Sequence, residues 1–213
     1  VFHKAGLPDG VINMVFADPD VTTDTVMEHP DFAGLHFTGS NSVLKDLWKR
    51  SGQNIDKYKS FPRVVGESGG KDFVVMHESA DPKEVATSLI RGAFEYQGQK
   101  CSAASRAYIP SNRWSKVKQY MEDDLNAIKM GDVDDFTNFI NAVIDENAFE
   151  KHRNAIEEAK QASDAEIVFG GNCDKSQGYF VEPTVILAHD PNYKTMEQEL
   201  FGPILTIYVY DEQ

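Results

Sequence analysis

A cysteine in a loop of small and polar residues is the most reactive group that the sequence offers. Cys101 follows Gly98-Gln99-Lys100, just beyond the predicted end of a helix. A cysteine attacks as a thiolate, which nearby cations and backbone N–H groups stabilise. The pattern therefore predicts nucleophilic catalysis by Cys101. The alternative is a small apolar packing residue, as lone cysteines often are.

Glu67 is the candidate general base. It lies in the motif Gly66-Glu67-Ser68-Gly69-Gly70-Lys71, between two apolar segments. Because the glycines carry no side chains, a substrate can approach this carboxylate closely. Taken alone, the motif favours an ordinary glycine-rich turn. Glu67 gains weight as a catalytic residue only together with the other motifs.

Two further motifs suit a nucleotide. Gly39 and Ser40 follow a short apolar strand at the start of a predicted helix, where backbone N–H groups and a hydroxyl can meet a pyrophosphate. The alternative for Ser40 is an ordinary helix cap. Farther along, Glu199 precedes Phe201 by two residues. A carboxylate can accept hydrogen bonds from ribose hydroxyls, and an aromatic ring can pack on nicotinamide.

Composition restricts the choice of partners. The chain has 213 residues, 41% of them hydrophobic, and a net charge of −13. Such a negative charge disfavours binding to nucleic acid and to anionic membrane surfaces. No segment approaches the roughly 18 to 20 apolar residues of a membrane-spanning helix. A small-molecule substrate is therefore expected, with no nucleic-acid or membrane partner.

The metal-ligating residue types are dispersed. The six histidines are scattered and form no helical pair with an intervening glutamate, so no metal site is expected. Cys101 and Cys173 are expected to be free thiols in a reducing, intracellular compartment. Cys173, with no base nearby in the sequence, is expected to be inert.

Hydrophobic spacing alternates between helix and strand periods and predicts an α/β fold with a parallel sheet. Asp81 and Pro82 are a strong helix-start signal. Predicted helices span 22–28, 40–58, 82–98, a segment from Ser111 or Asn112 to 128, and 146–162. Predicted strands span 11–16, 34–38, 64–65, 73–76, 104–109, 166–169, 180–186 and 204–210. Cys101, between a helix and a strand, would then lie at a sheet edge.

Five motifs, in order along the chain, resemble the aldehyde dehydrogenase superfamily. Within it, the sequences Phe94 to Ala103, Phe61-Pro62-Arg63 and Gly178 to Pro183 are similar to the branch that oxidises glutamate semialdehyde in proline catabolism. The five superfamily motifs are Phe37-Thr38-Gly39-Ser40, Glu67 with Gly69-Gly70-Lys71, Gly98-Gln99-Lys100-Cys101, Glu182-Pro183-Thr184, and Glu199-Leu200-Phe201-Gly202-Pro203.

The resemblance implies a role for each candidate residue. Cys101 would be the nucleophile and Glu67 the base. The cofactor would be NAD, with Gly39 and Ser40 at its pyrophosphate and Glu199 and Phe201 around its nicotinamide and ribose. Ser102 would contact the substrate, or else cap the turn that follows it. Lys71 and Glu182-Pro183 are expected to be structural.

The resemblance also implies an architecture. Residues 1–67 would be the C-terminal part of an NAD-binding, Rossmann-like domain. Residues 68–213 would be most of a catalytic thiol domain, within a three-layer, parallel-sheet fold of the aldehyde dehydrogenase type. The whole enzyme would be a homo-oligomer in the bacterial cytoplasm or the mitochondrial matrix.

Several alternatives stay open from the sequence. The chain has no initiator methionine, and both ends fall at the boundary of an element, which indicates a segment of a longer protein. The family's oxyanion-hole asparagine and C-terminal substrate loop have no counterpart here, so the segment alone is expected to be inactive. Other hypotheses are oxidation of a different aldehyde, a thiol esterase or acyl transferase, and a non-enzymatic interaction module. A preference for NADP also stays open.

Overall fold

The computed structural model of the protein describes residues 1–211. The chain divides into two compact units, Val1–Ser68 and Gly69–Gln213. The sequence-based domain boundary lies between residues 67 and 68. The roles assigned to the two parts, NAD binding and thiol catalysis, stay predictions.

The first unit is built around two parallel strands. Thr38 at the end of one strand lies beside Glu67 at the end of the other. A small core of Met27, Phe32 and Leu47 lies among its elements. The elements are a 3₁₀ turn His3–Ala5, α1 (Pro19–Glu28), β1 (Gly34–Thr38), α2 (Asn41–Gln53), a 3₁₀ turn Ile55–Lys57 and β2 (Arg63–Glu67).

The start of the first unit differs from the prediction. The strand expected over 11–16 is wrong: these residues form a bend and irregular backbone, and all of them are exposed. Strand propensity alone does not hold a segment extended unless a neighbouring strand takes its N–H and C=O groups. Helix α1 begins at Pro19, three residues before the predicted start, because Asp18 accepts hydrogen bonds from the N–H groups of Asp20 and Val21, both at 3.0 Å.

The second unit contains a five-stranded mixed sheet. Its strand order is β3-β4-β9-β8-β5, with four parallel strands and β5 antiparallel at one edge. A small hairpin, β6 and β7, accompanies it. The elements are β3 (Asp72–Val75), α3 (Pro82–Phe94), a 3₁₀ turn Glu95–Gly98, β4 (Ala104–Pro110), α4 (Ser111–Ala127), α5 (Glu146–Gln161), β5 (Ala165–Phe169), β6 (Cys173–Asp174), β7 (Phe180–Val181), β8 (Thr184–Ala188), α6 (Lys194–Glu197) and β9 (Ile204–Tyr210).

Alternate residues of the central strands face opposite sides of the sheet. Val185 and Leu187 of β8 pack in one core with α3 and α4, whereas the intervening Ile186 packs with α5. Strand β9 alternates likewise, with Leu205 in the first core and Ile204 in the second. The second unit is therefore a helix–sheet–helix sandwich, and the three-layer α/β prediction is confirmed.

Proline and acidic residues set several boundaries in the second unit. Asp81 caps α3 through the N–H groups of Lys83 and Glu84, as predicted. Pro183 lies in the break between β7 and β8, which were predicted as one strand. Glu182 accepts hydrogen bonds from Asn172 at 2.7 and 3.2 Å, so its contacts are structural.

Within the part of the chain that the structure describes, no helix is long and apolar enough to cross a membrane.

Candidate active site

Cys101 lies in an exposed turn between the 3₁₀ turn after α3 and the start of β4. The N–H group of Ala103 donates to the carbonyl of Lys100 at 3.1 Å and closes this turn. Helix α3 is anchored in the core by Leu89, Ala93 and Phe94, all almost fully buried. The fold therefore presents the thiol at the surface of the second unit, on a loop that is fixed at both ends.

Three consecutive residues before Cys101 have left-handed backbone conformations. Tyr96, Gln97 and Gly98 have φ angles of 55°, 58° and 65°. For residues other than glycine this conformation costs about 1–3 kcal/mol each, so the surroundings must impose it. Gln97 is buried and donates to the carbonyl of Ala142 at 3.2 Å, which anchors the turn. Such strain is characteristic of functional loops.

Gly69 and Gly70 pack against two of the predicted site residues. A Cβ atom on Gly70 would lie 2.2 Å from the carbonyl oxygen of Cys101, and one on Gly69 would lie 1.5 Å from Oε2 of Glu199. The Gly70 N–H group donates to Oε1 of Glu199 at 3.1 Å. Only glycine permits both approaches. The second unit thus brings the Glu199 carboxylate and the Cys101 backbone together around this glycine pair.

Phe201 follows Glu199 in a strained turn. Its φ angle is 58°, and its side chain is 44% exposed. The neighbouring residues Leu200 and Gly202 are buried, so the turn is anchored on both sides of the exposed ring. An exposed aromatic ring beside a half-buried carboxylate is a surface on which a planar, hydroxyl-bearing ligand can bind.

Four basic side chains hold segment 195–202 by its backbone carbonyls. Each donates a hydrogen bond of 2.6 to 3.0 Å. The pairs are Lys71 Nζ with Thr195 O, Arg106 Nη1 with Met196 O, Lys151 Nζ with Glu199 O, and His152 Nε2 with Leu200 O. The position of Glu199 and Phe201 is therefore set from outside the segment.

Lys71 was predicted to be structural, and its contact with the Thr195 carbonyl is of that kind. Burial and, next, the positive charge of Arg106 lower the pKa of Lys71 to about 8, although Glu199 opposes the shift. Its φ angle of 50° is another left-handed conformation. Nothing in the motif around Glu67 predicts that the Lys71 ammonium is buried.

Arg106, Lys151 and His152 are the contact residues that sequence reasoning missed. His152 lies three residues after Phe149 and four before Ile156, at the spacing of one helix face. All three side chains are buried. That periodicity is the signal that could have placed His152 in the interior, but it does not identify the carbonyl that His152 contacts.

The other predicted residues lie together in the first unit. Thr38 and Glu67 are in register, and the Gly39 N–H group donates to the carbonyl of Glu67 at 3.0 Å. Ser40 caps α2 by accepting from the Val43 N–H group at 3.3 Å. Glu67 is exposed at the carboxyl end of β2. Gly39, Ser40 and Glu67 thus lie together at the carboxyl ends of the two parallel strands of the first unit.

Ser102 and Cys173 differ in their surroundings. Ser102 is exposed. Cys173 is half-buried beside the second core, and burial raises the pKa of its thiol. Neither cysteine forms a disulfide. Among the described residues there is no cluster of three or more His, Cys, Asp or Glu side chains that could hold a metal ion.

The exposed thiol, the strained loop and the α/β fold agree with the family that a comparison of the whole sequence identifies. The chain belongs to the aldehyde dehydrogenase family, whose family model covers residues 1–213. The resemblance inferred from the five motifs is confirmed.

The relatives also agree with the predicted branch. The chain is 50% identical over 98% of its length to the mitochondrial delta-1-pyrroline-5-carboxylate dehydrogenase of Dictyostelium discoideum, and 43% identical over its whole length to that of Homo sapiens. It spans 38% of the length of each.

Solved structures give the same result. The delta-pyrroline-5-carboxylate dehydrogenase of Mycobacterium tuberculosis, solved with NAD bound, is 47% identical and superposes with a TM-score of 0.90 over 98% of this chain and 38% of its own. The 1-pyrroline-5-carboxylate dehydrogenase from Thermus with bound NAD is 29% identical, with a TM-score of 0.91 over 99% of this chain and 40% of its own.

Proposed function

We propose that the protein oxidises L-glutamate 5-semialdehyde, the open form of 1-pyrroline-5-carboxylate, to L-glutamate with NAD as the oxidant. The observation that carries this proposal is the 50% identity, over 98% of the chain, to a delta-1-pyrroline-5-carboxylate dehydrogenase. The exposed Cys101 in its strained loop supports the same chemistry.

In the proposed reaction, the Cys101 thiolate adds to the aldehyde carbon and forms a C–S bond. The aldehyde oxygen becomes an oxyanion, which the Cys101 backbone N–H group stabilises. The carbon then loses a hydride and becomes a thioester carbonyl. The exposure of Cys101 supports this role, because the sulfur must be accessible to the substrate.

Glu67 is proposed as the base of the second half-reaction. It takes a proton from the water that attacks the thioester, so that the C–S bond breaks and glutamate leaves. The Cys101 thiolate is then regenerated. The exposure of Glu67 and the glycine that precedes it leave its carboxylate free to contact a water molecule.

The residues proposed for NAD fit that cofactor in each unit. In the first unit, Ser40 caps the 13-residue helix α2, whose first N–H groups and positive dipole end suit a pyrophosphate beside Gly39. In the second unit, Gly69 lets the Glu199 carboxylate lie on the backbone, and the Phe201 ring is exposed. NAD, when bound, supplies the hydride acceptor.

Ser102 is proposed to contact the carboxylate of the substrate. Ser102 is exposed and directly follows Cys101, so its hydroxyl can donate to a ligand that reaches the thiol. The proposal extends to the whole protein as a homo-oligomer, which light scattering after size exclusion tests.

The test is a steady-state assay of the whole protein with pyrroline-5-carboxylate, followed at the absorbance of reduced nicotinamide. We expect NAD reduction with this substrate at a higher kcat/KM than with acetaldehyde or succinate semialdehyde. Cys101→Ala should abolish it, whereas Cys173→Ala should leave it unchanged. Hydride transfer that persists in Cys101→Ala would refute the nucleophile, and a preference for another aldehyde would refute the substrate.

A further inference from the structure

His152 is a buried polar residue inside an otherwise apolar helix face. It is 0% exposed, and its neighbours on that face, Phe149 and Ile156, belong to the second core. Its ring lies against the turn that follows Glu199: a Cβ atom on Gly202 would be only 2.1 Å from Nε2. A histidine in this position needs a specific contact, because burying an unpaired polar group is costly.

That contact fixes the protonation of the ring. Nε2 lies 3.0 Å from the carbonyl oxygen of Leu200, which can only accept a hydrogen bond, so Nε2 carries the N–H. Nδ1 is buried and has no partner within residues 1–211. In the neutral ring Nδ1 is an acceptor and tolerates this better than an added N–H, which would be a buried donor without an acceptor.

The burial of His152 also favours the neutral ring. Burial lowers the pKa of His152, and the neighbouring Lys151 ammonium lowers it further. The bond to the Leu200 carbonyl and the charge of Asp145 oppose this shift. Burial is the dominant effect, so His152 is neutral at physiological pH.

The carbonyl that His152 holds lies between the two side chains proposed for the cofactor. Leu200 is flanked by Glu199 and by Phe201, whose φ angle of 58° is imposed by its surroundings. The turn also reaches the strained loop: a Cβ atom on Gly98 would lie 2.3 Å from the Gly202 carbonyl oxygen. A change at Leu200 would therefore move Glu199 and Phe201 first.

We propose that His152 is a positioning residue for the cofactor, which as a neutral Nε2–H donor fixes the Leu200 carbonyl and so orients the Glu199 carboxylate and the Phe201 ring. This inference rests on the proposed function, in which these two side chains contact the nicotinamide and its ribose. His152 itself touches neither substrate nor cofactor.

Three variants of the whole protein test the proposal. His152→Leu keeps the apolar volume and removes the donor. His152→Gln keeps an N–H donor at a similar reach and cannot titrate. Ile156→Val removes one methyl group from the same buried helix face without touching the turn, and serves as the control for lost packing.

NAD affinity, measured by calorimetry without aldehyde, is the main readout. We expect His152→Leu to weaken NAD binding about tenfold, with His152→Gln within about twofold of wild type. Ile156→Val should lower Tm but not NAD affinity. Alkylation of Cys101 by iodoacetamide should keep its rate in all three variants, since their effect is on the cofactor contacts.

The outcomes separate this inference from the function on which it rests. Wild-type protein that fails to bind NAD refutes the proposed function and the cofactor role of His152 together. Wild-type binding with unchanged affinity in His152→Leu refutes the positioning role alone. If His152→Leu does not fold, weak NAD binding by a folded His152→Gln refutes the role of the donor.

The protonation state has its own test, which does not depend on NAD. Nitrogen-15 NMR of ring-labelled histidine should show His152 as a neutral ring with the proton on Nε2 from pH 8 down to the ordinary histidine pKa of about 6.5, because its pKa is lowered below that value. A proton on Nδ1, or titration of His152 within that range, would overturn the assignment of the donor.

Discussion

Adjacent glycines at 69 and 70 allow one methyl group to be added at two positions with different consequences. Neither residue has a positive φ angle, so alanine costs no backbone strain at either. In Gly70→Ala the new Cβ would lie 2.2 Å from the Cys101 carbonyl oxygen, and in Gly69→Ala it would lie 1.5 Å from Oε2 of Glu199. The first neighbour is backbone, whereas the second is the end of a flexible side chain.

The magnitudes follow from what must move. An ordinary contact begins at 3.4 Å, so Gly70→Ala displaces the backbone of Cys101 or of the glycine loop. A misplacement of about 1 Å at a reacting group costs on the order of 100-fold in rate. In Gly69→Ala the Glu199 side chain rotates away and loses its 3.1 Å bond to the Gly70 N–H group. We expect NAD affinity to fall about tenfold there, at little cost in stability.

Two assays distinguish the glycines. The first is the rate of turnover with saturating NAD, which should fall about 100-fold in Gly70→Ala and change little in Gly69→Ala. The second is the NAD dissociation constant, which should rise mainly in Gly69→Ala. The reasoning fails if both variants show the same pattern, or if Gly70→Ala turns over at the wild-type rate.

Three further predictions concern stability. The pKa of Lys71 is about 8 in the folded chain and 10.5 ordinarily, so the unfolded chain binds more protons between these two pH values. From pH 8 to 10.5 the free energy of unfolding of wild type should therefore rise by about 3 kcal/mol relative to that of Lys71→Met. An equal dependence of this free energy on pH in the two proteins would contradict the prediction. Tyr96→Gly should raise stability by about 1 kcal/mol in urea titrations, since it relieves a φ of 55°, and a loss would show that the tyrosine packing matters more. Thr206→Val removes the hydroxyl that donates to Thr195 Oγ1 at 2.7 Å. Thermal unfolding should show a loss of about 1–2 kcal/mol in stability, because the Thr195 hydroxyl is left buried without its partner. The double variant with Thr195→Val should recover most of this stability.

Local signals in the sequence, namely helix-capping residues and hydrophobic periodicity, predicted the elements whose boundaries depend on nearby residues. Asp81 and Pro82 fixed the start of α3, because the cap and the proline act within one turn. The strand predicted over 11–16 failed, because a strand depends on a partner that its own residues do not specify. The antiparallel direction of β5 was also missed, since a short apolar run has no direction.

The same division applies to the candidate site. Motif order and the family resemblance selected Cys101, Glu67, Ser40 and Glu199 as candidates, and their catalytic and binding roles stay proposals. The contacts of Lys71 and His152 with carbonyls more than a hundred and nearly fifty residues away depend on tertiary packing. No local sequence pattern specifies a side chain and a carbonyl so far apart in the chain. Sequence reasoning therefore identified the candidate site residues but not the contacts that hold them in position.

The hold on segment 195–202 has a consequence for redesign. Lys71, Arg106, Lys151 and His152 hold carbonyl oxygens, and every amino acid has the same carbonyl. The side chains that are not buried, such as those of Glu199 and Phe201, can therefore be exchanged without giving up these four bonds. Position 201 could accept other rings, and position 199 other acceptors, on an unchanged backbone. Under the cofactor role proposed for Glu199 and Phe201, the backbone of this turn is held separately from the side chains that would contact the ligand, which makes positions 199 and 201 suitable to randomise in a search for altered cofactor use.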